Sequence, residues 1–298
     1  MNSLILGASG QVGQALILEL EKRQWSWDGS YFQHPEVNPD LFQLDLGDAA
    51  ACAKAVAERK PHVVFLPSGW TWVDGCEDDP ARAHRVNTLA PEAVAKECKR
   101  LGAALVYYST EYVFGEHGGP YSEKDEPNAV SVYGQSKLDG ERAVLAACPD
   151  ALSLRTTVVY GPEPQGKNFI YQLIKNLKEG KPMVTPVDQL SSPTYNRDLA
   201  RASVELVELA ERGIWNVAGS EVVDRYAFAK LAAATFGLDS ALISGVSTAS
   251  MKQKARRPLD AGLRIEKLVE RLGWKPKGPL EGLQAMKAEM EKGGHGRS

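Results

Sequence analysis

Tyr133-Gly134-Gln135-Ser136-Lys137 places a phenol and an ammonium four residues apart, and on a helix two such side chains share a face. A phenol titrates near ~10 in water, and a neighbouring ammonium favours the phenolate. A tyrosine tuned in this way passes a proton to or from a carbinol oxygen while a hydride moves at the carbon. Spacing alone does not single the pair out, because Tyr171/Lys175 and Tyr226/Lys230 repeat it. Context does: only Tyr133 follows, by a little over twenty positions, a run ending in hydroxyls, Val106-Tyr107-Tyr108-Ser109-Thr110. The other two pairs read as an aromatic at a core edge beside a solvated lysine.

A second chemical signal opens the chain. Gly7-Ala8-Ser9-Gly10-Gln11-Val12-Gly13 has the form G-x-x-G-x-x-G. Glycines permit a tight turn and let the backbone approach a pyrophosphate, while a helix N-terminus offers free N–H groups and the positive end of its dipole. The motif lies between an apolar run, Ser3–Leu6, and a helical pattern, Gln11–Arg23, which is the context that dinucleotide binding requires.

The elements that must position these residues follow from periodicity. After the first strand and helix, a β-rich stretch at Trp25–Phe32 precedes a strand at Leu41–Leu46. Asp48 is a candidate N-cap for a helix at Ala49–Lys60 that Pro61 ends. His62–Leu66, Ala103–Tyr108 and Ala151–Thr156 read as strands, and Ser131 or Val132 opens a helix to about Ala147. Alternating strands and helices predict an α/β fold with a parallel sheet covered on both faces. Beyond Tyr160 the regularity fades. Helices are expected at Phe169–Glu179, Asn196–Arg212, Tyr226–Phe236 and Ile265–Leu272, with a strand at Gly213–Val217. Residues 1–160 are thus expected to bind the dinucleotide and residues 161–298 mainly to form a smaller C-terminal lobe over the carboxyl ends of the strands. A segment within Pro193–Ala218 should return to the first domain. The polar, Gly-rich tail Gly293–Ser298 is expected to fray.

Composition bounds the function classes. With 43% hydrophobic and 24% charged residues and a net charge of -3, the chain is globular and gives no electrostatic reason to bind nucleic acid or an anionic membrane. No apolar stretch approaches the ~20 residues a membrane helix needs, and Ser3 begins the first strand too early for a signal peptide, so a cytoplasmic location is expected. Cys52, Cys76, Cys98 and Cys148 lack C-x-x-C spacing and read as buried thiols. The five histidines are isolated, His117 in a Gly-rich loop, and no metal site is expected.

The glycine spacing and the tyrosine–lysine pair together resemble the extended branch of the short-chain dehydrogenase/reductase superfamily, which implies a Rossmann-type doubly wound sheet. In that family an aspartate at the end of the third strand meets the adenine amino group, and Asp45-Leu46 stands there. The acid that ends the second strand and holds a ribose 2′-OH is replaced by Tyr31, Phe32, Gln33 and His34, and no arginine stands there for a 2′-phosphate. NADP(H) is therefore allowed and slightly favoured over NAD(H). The resemblance makes Thr110, Tyr133 and Lys137 the catalytic set. It places Gly7, Gly10, Gln11, Val12, Gly13, Leu66, Pro67, Ser68 and Asn87 at the cofactor beside Asp45 and Leu46.

More specific motifs narrow the branch. Ser109-Thr110-Glu111-Tyr112-Val113-Phe114-Gly115 resembles the S-T-D-Y-V-F-x-G segment of the dTDP-4-dehydrorhamnose reductase family, and Val73-Asp74, Asn87, Pro120-Tyr121, Arg155-Thr156, Pro193-Thr194 and Arg256-Arg257-Pro258 match it too. Sugar-nucleotide dehydratases carry Thr-Asp-Glu after the same strand. Here Tyr112 takes the third place, so the base for elimination is missing and reduction of a 4-keto sugar nucleotide, dTDP-4-dehydro-L-rhamnose above others, is implied. Asp74 and Glu111 are then candidates for the sugar hydroxyls and Arg257 for the diphosphate. Two departures stand out. Leu66-Pro67-Ser68-Gly69-Trp70, with Trp72 beyond, replaces a run of small residues, and Val158 replaces a tryptophan that the family sets against the sugar. The two indoles are candidates for the missing apolar wall, for a different sugar, or for the core. Two other roles fit the same motifs: a regulatory subunit resembling the methionine adenosyltransferase beta subunit, and an NAD-dependent epimerase. The expected partner is the nucleotide sugar, with a second copy of the chain as a candidate.

Overall fold

The structure, a computed structural model, describes residues 1–115 and 118–294. His117 and the end of the tail, residues 295–298, lie outside them. The first half runs β1 (Asn2–Ile5), α1 (Gln11–Lys22), β2 (Ser26–Tyr31), β3 (Phe42–Gln43), α2 (Ala49–Arg59), β4 (Val63–Leu66), α3 (Val73–Asp78) and α4 (Pro80–His84). It continues with α5 (Ala90–Leu101), β5 (Ala104–Thr110), α6 (Val132–Ala147) and β6 (Leu152–Thr156). Then follow β7 (Val159–Tyr160), α7 (Phe169–Lys178), β8 (Met183–Pro186), β9 (Leu190–Ser191), β10 (Thr194–Tyr195), α8 (Asn196–Glu208) and β11 (Gly213–Asn216). The chain ends with β12 (Val223–Asp224), α9 (Arg225–Phe236), β13 (Ile243–Val246), α10 (Glu266–Leu272) and α11 (Pro279–Gly294).

Seven strands form one parallel sheet in the order β11-β6-β5-β4-β1-β2-β3. The order reverses between β1 and β4, and a crevice opens at such a switch point beyond the carboxyl ends of the strands. Both faces are covered. Leu16 and Leu20 of α1 and Leu199 and Val204 of α8 pack on one; Val56 of α2, Val94 and Cys98 of α5 and Val144 of α6 pack on the other. That double burial is why β4 reads as an unbroken apolar run, Val63-Val64-Phe65-Leu66, with no exposed position.

Helix ends follow the local chemistry. Asp48 caps α2 by accepting from Ala51 N, and Ser131 caps α6 by accepting from Gly134 N. Helix α8 stops at Glu208, short of the expected Arg212, because Ala210 takes a left-handed φ of 52°. Strand β3 pairs over two residues only, Ser30 with Phe42 and Tyr31 with Gln43, and is shorter than expected. Helix α11 carries the chain as far as Gly294.

The second lobe has its own core of Ile170, Leu173, Phe228, Ala229, Ile243, Leu283 and Met286, drawn from α7, α9, β13 and α11. From within 193–218, β11 joins the main sheet beside β6. No helix among the described residues is long and apolar enough to cross a membrane.

Candidate active site

Two cavities meet end to end along the carboxyl edge of the sheet. One, of about 580 Å³, is lined by Gly7, Tyr31, Phe32, Asp45, Leu46 and Lys167 among others; the second, of about 360 Å³, holds Thr110, Glu111, Tyr133, Lys137, Val158 and Arg225. Ser68, Gly69 and Thr71 line both, so the cavities are two ends of one groove.

The first end is built for a dinucleotide. Gly7 sits at φ +106°, where a side chain is strained, and its N–H donates to Ser30 Oγ at 3.0 Å. A Cβ at Gly13 would overlap the Gly7 carbonyl oxygen and stand 2.6 Å from Ala8 Cα, so only glycine lets α1 start against the turn. No side chain caps α1, leaving its first N–H groups to an anion. Gln11 Nε2 is buried without a partner, as are Ser109 Oγ and Thr156 Oγ1 at the other end of the groove. Such orphaned polar atoms are expected where a polar ligand completes the site. The residues present fit a nicotinamide dinucleotide.

The expected cofactor residues divide into lining and support. Gly7, Asp45, Leu46 and Ser68 line the first cavity; Gln11, Val12, Pro67 and Ser68 line the second. Gly10 and Gly13 lie behind, shaping the turn. Leu66 is wholly buried in the sheet core and reaches neither cavity. Asn87 sits in a turn widened to i→i+5 spacing, Arg85–Leu89. It accepts from Trp70 N at 2.8 Å and donates to Trp70 O and Ser136 Oγ at 3.1 and 3.0 Å. Its amide hydrogens are therefore committed to bracing the Trp70 loop against α6, and its side chain does not line the groove.

The catalytic trio converges on the second cavity. Thr110 ends β5, and Tyr133 and Lys137 share the inner face of α6. The Tyr112 ring meets Tyr133 edge-on at 5.3 Å, and Lys137 Nζ lies 4.1 Å from the Tyr107 ring centroid. Burial draws the Lys137 ammonium down to about 7, with Glu141 opposing. Burial also pushes the Tyr133 phenol above its ordinary value; Glu111 adds to the rise and Thr110 opposes it. A phenol lowered by its ammonium was the expectation. Desolvation dominates instead, and Tyr133 is a protonated phenol.

The expected substrate residues hold one another. Thr110 Oγ1 donates to Glu111 Oε2 at 2.7 Å and Thr157 Oγ1 to Glu111 Oε1 at 2.8 Å, and burial raises the Glu111 carboxyl. Asp74 Oδ1 pairs with Arg257 Nη2 at 2.7 Å and accepts from Ala255 N at 3.1 Å, while Arg257 Nη1 donates to the Tyr112 hydroxyl at 3.3 Å. Val158 adopts φ +41°, a strained conformation for a β-branched residue, at the cavity wall. The two indoles do not wall this cavity. Trp70 lines the dinucleotide end under Arg82, 4.6 Å from its ring, and Trp72 lines the same end with 65% of its surface exposed.

Two lobe residues in the groove have no sequence signal. Arg225, at the start of α9, lines the inner cavity beside Glu111 and Tyr112, and Lys167 reaches the dinucleotide end. Their side chains meet residues more than a hundred positions away, and no local pattern reports that. Among the described residues no His/Cys/Asp/Glu group is arranged to hold a metal.

Residues 1–292 match the family model described as the RmlD substrate binding domain. The chain is 35% identical over 271 residues to the dTDP-4-dehydrorhamnose reductase of Mycobacterium tuberculosis, covering 85% of this chain and 82% of that one. It is 31% identical over 273 residues to methionine adenosyltransferase 2 subunit beta of Danio rerio, covering 89% and 83%. The dTDP-4-dehydrorhamnose reductase of Bacillus anthracis, solved in complex with NADP, superposes with a TM-score of 0.87 at 28% identity, covering 97% and 99%.

Proposed function

This chain belongs to the RmlD substrate binding domain family, and on that premise we propose that it reduces dTDP-4-dehydro-L-rhamnose to dTDP-L-rhamnose, with NADPH slightly favoured over NADH. It is a nicotinamide-dependent oxidoreductase acting on a nucleotide sugar. The observation that carries the finer reading is the convergence of Thr110, Tyr133 and Lys137 on a cavity continuous with the glycine-lined groove.

When bound, the reduced nicotinamide supplies hydride to the ketone carbon. Tyr133, protonated because it is buried, delivers its proton to the oxygen as alkoxide character develops. Thr110 turns its hydroxyl from Glu111 to the same oxygen, leaving Glu111 to Thr157 and to a sugar hydroxyl. Lys137 holds the ribose and, when charged, eases proton release from the phenol. Asp74 and Arg257 present an acceptor for a sugar hydroxyl and a donor for the diphosphate. Elimination has no base here, since Tyr112 occupies the position and its hydroxyl meets Arg257.

NADPH oxidation followed by absorbance with dTDP-4-dehydro-L-rhamnose tests this, with Tyr133→Phe as the comparison. Turnover should fall at least ~100-fold in the variant, as for a positioned general acid. No oxidation of NADPH or NADH by protein that binds dinucleotide would rule the rhamnose substrate out. The likeness to the Danio rerio beta subunit favours a second reading, a regulatory subunit. Stable capture of a synthetase with no turnover on keto sugars would select it.

A further inference from the structure

The tip of β2 carries neither the acid that grips a ribose 2′-OH nor an arginine for a 2′-phosphate, so recognition at that position must come from another element. The adenosine ribose belongs between the Gly-rich turn and this tip, which Gly7 N and Ser30 Oγ tie together. Facing them is the loop ahead of α7. Gln165 Nε2 donates to Ser9 O at 3.0 Å, anchoring the loop on the glycine turn. Glu163 Oε1 accepts from Lys167 N at 2.8 Å and Asn168 N at 2.5 Å, which fixes the backbone that carries Lys167. The Lys167 side chain lines the cavity with Tyr31, Phe32 and Gln33, and its Nζ stands 2.7 Å from His34 Nε2. His34 Nδ1 lies 2.8 Å from the exposed Glu36 carboxylate. No carboxylate comes within salt-bridge distance of Lys167 among the described residues, so the ammonium's near partner is the His34 ring.

We infer that Lys167, supported by His34, receives the 2′-phosphate of an NADP-type dinucleotide, so that the second lobe rather than β2 sets the cofactor preference. The inference rests on the dinucleotide reading of the groove. A phosphate monoester carries about -1.5 to -2 charges at neutral pH, and lysine meets it as a point charge. Exchanging an imidazole for that anion strengthens the contact, while solvent around the exposed lysine limits the gain to about tenfold in affinity. Glu36 opposes the phosphate, but it lies beyond His34 in open water.

The probes are adenosine 2′,5′-bisphosphate and AMP, which differ only in the 2′-phosphate, titrated calorimetrically into the full chain and into Lys167→Gln. The native protein should bind the bisphosphate about tenfold tighter than AMP. Lys167→Gln should bring the ratio near one with AMP affinity unchanged, and Lys167→Arg should restore it. A ratio near one in the native protein, or a ratio that survives Lys167→Gln, overturns the assignment while leaving the dinucleotide site intact. Failure of both probes to bind native protein overturns the dinucleotide reading itself.

Discussion

At Lys137 an ammonium is held against the Tyr107 ring in a pocket that burial has dried, and its pKa falls to about 7. In the unfolded chain the same lysine titrates near ~10.4. Between those values the unfolded chain binds the proton and the folded chain does not. Folding stability therefore drops as pH falls through about 10.4 to 7, and the full cost is present below 7. Lys137→Met removes a charge but keeps the stem, so its stability gain over native protein should be larger at pH 6 than at pH 10.5 by about 4 kcal/mol. Urea unfolding of both proteins at the two pH values measures it, and an equal difference at both would mean that the site does not desolvate the ammonium. The type and spacing of Tyr133 and Lys137 were legible in the sequence. The dominance of desolvation was not, because it depends on β5, α3 and the Trp70 and Tyr112 segments closing over one face of α6.

Among the elements, the start of α1 makes the sharpest demand on sequence. A methyl at Gly13 would meet the backbone of Gly7 and Ala8, which cannot swing away as a side chain can, whereas one at Gly10 would stand 3.4 Å from the Gly7 carbonyl oxygen, an ordinary contact. Gly13→Ala should therefore cost about 1–3 kcal/mol of stability by overpacking and weaken NADPH binding more than tenfold by withdrawing the helix N-terminus. Gly10→Ala should cost about 1 kcal/mol or less, as a changed N-cap. Thermal unfolding and NADPH titration of the two variants compare them; equal losses would contradict this account of the turn. Much of the first half was readable because β4 is apolar along its whole length and helices such as α1 and α5 bury one apolar face. The lobe resisted reading for a matching reason. Strands β7, β9, β10 and β12 span two residues each, too short for a period to show. Helix α11 fully buries only Leu283 and Met286 of its hydrophobic residues, a stripe too thin to announce a sixteen-residue helix.

Across the whole molecule, the groove is closed by a few contacts between sheet and lobe: Gln165 on Ser9, Lys254 on Asp78, and Arg257 on Asp74 and Tyr112. The Lys254–Asp78 pair lies at the surface, where such a contact adds little. Arg257 is different, its side chain 11% exposed against 33% for Asp74, with Nε buried and without a partner. Because a second lobe moves against its sheet unless something fixes it, this pair decides where the sugar end of the groove stands relative to Tyr133. The sequence exposed Asp74 and Arg257 as separate candidates, for a hydroxyl and for a diphosphate. Only folding brings residues 183 positions apart into one ion pair. Asp74→Asn leaves Arg257 without its counter-charge, a loss of about 1–3 kcal/mol for a partly buried group. Most of that loss should fall on the nucleotide sugar, raising its KM about tenfold, while NADPH affinity, set at the other end of the groove, stays within twofold. Steady-state kinetics with dinucleotide titration separates the two effects. A parallel loss of both affinities would show that the pair holds the whole groove open, and unchanged values for both would show that the lobe is fixed without it.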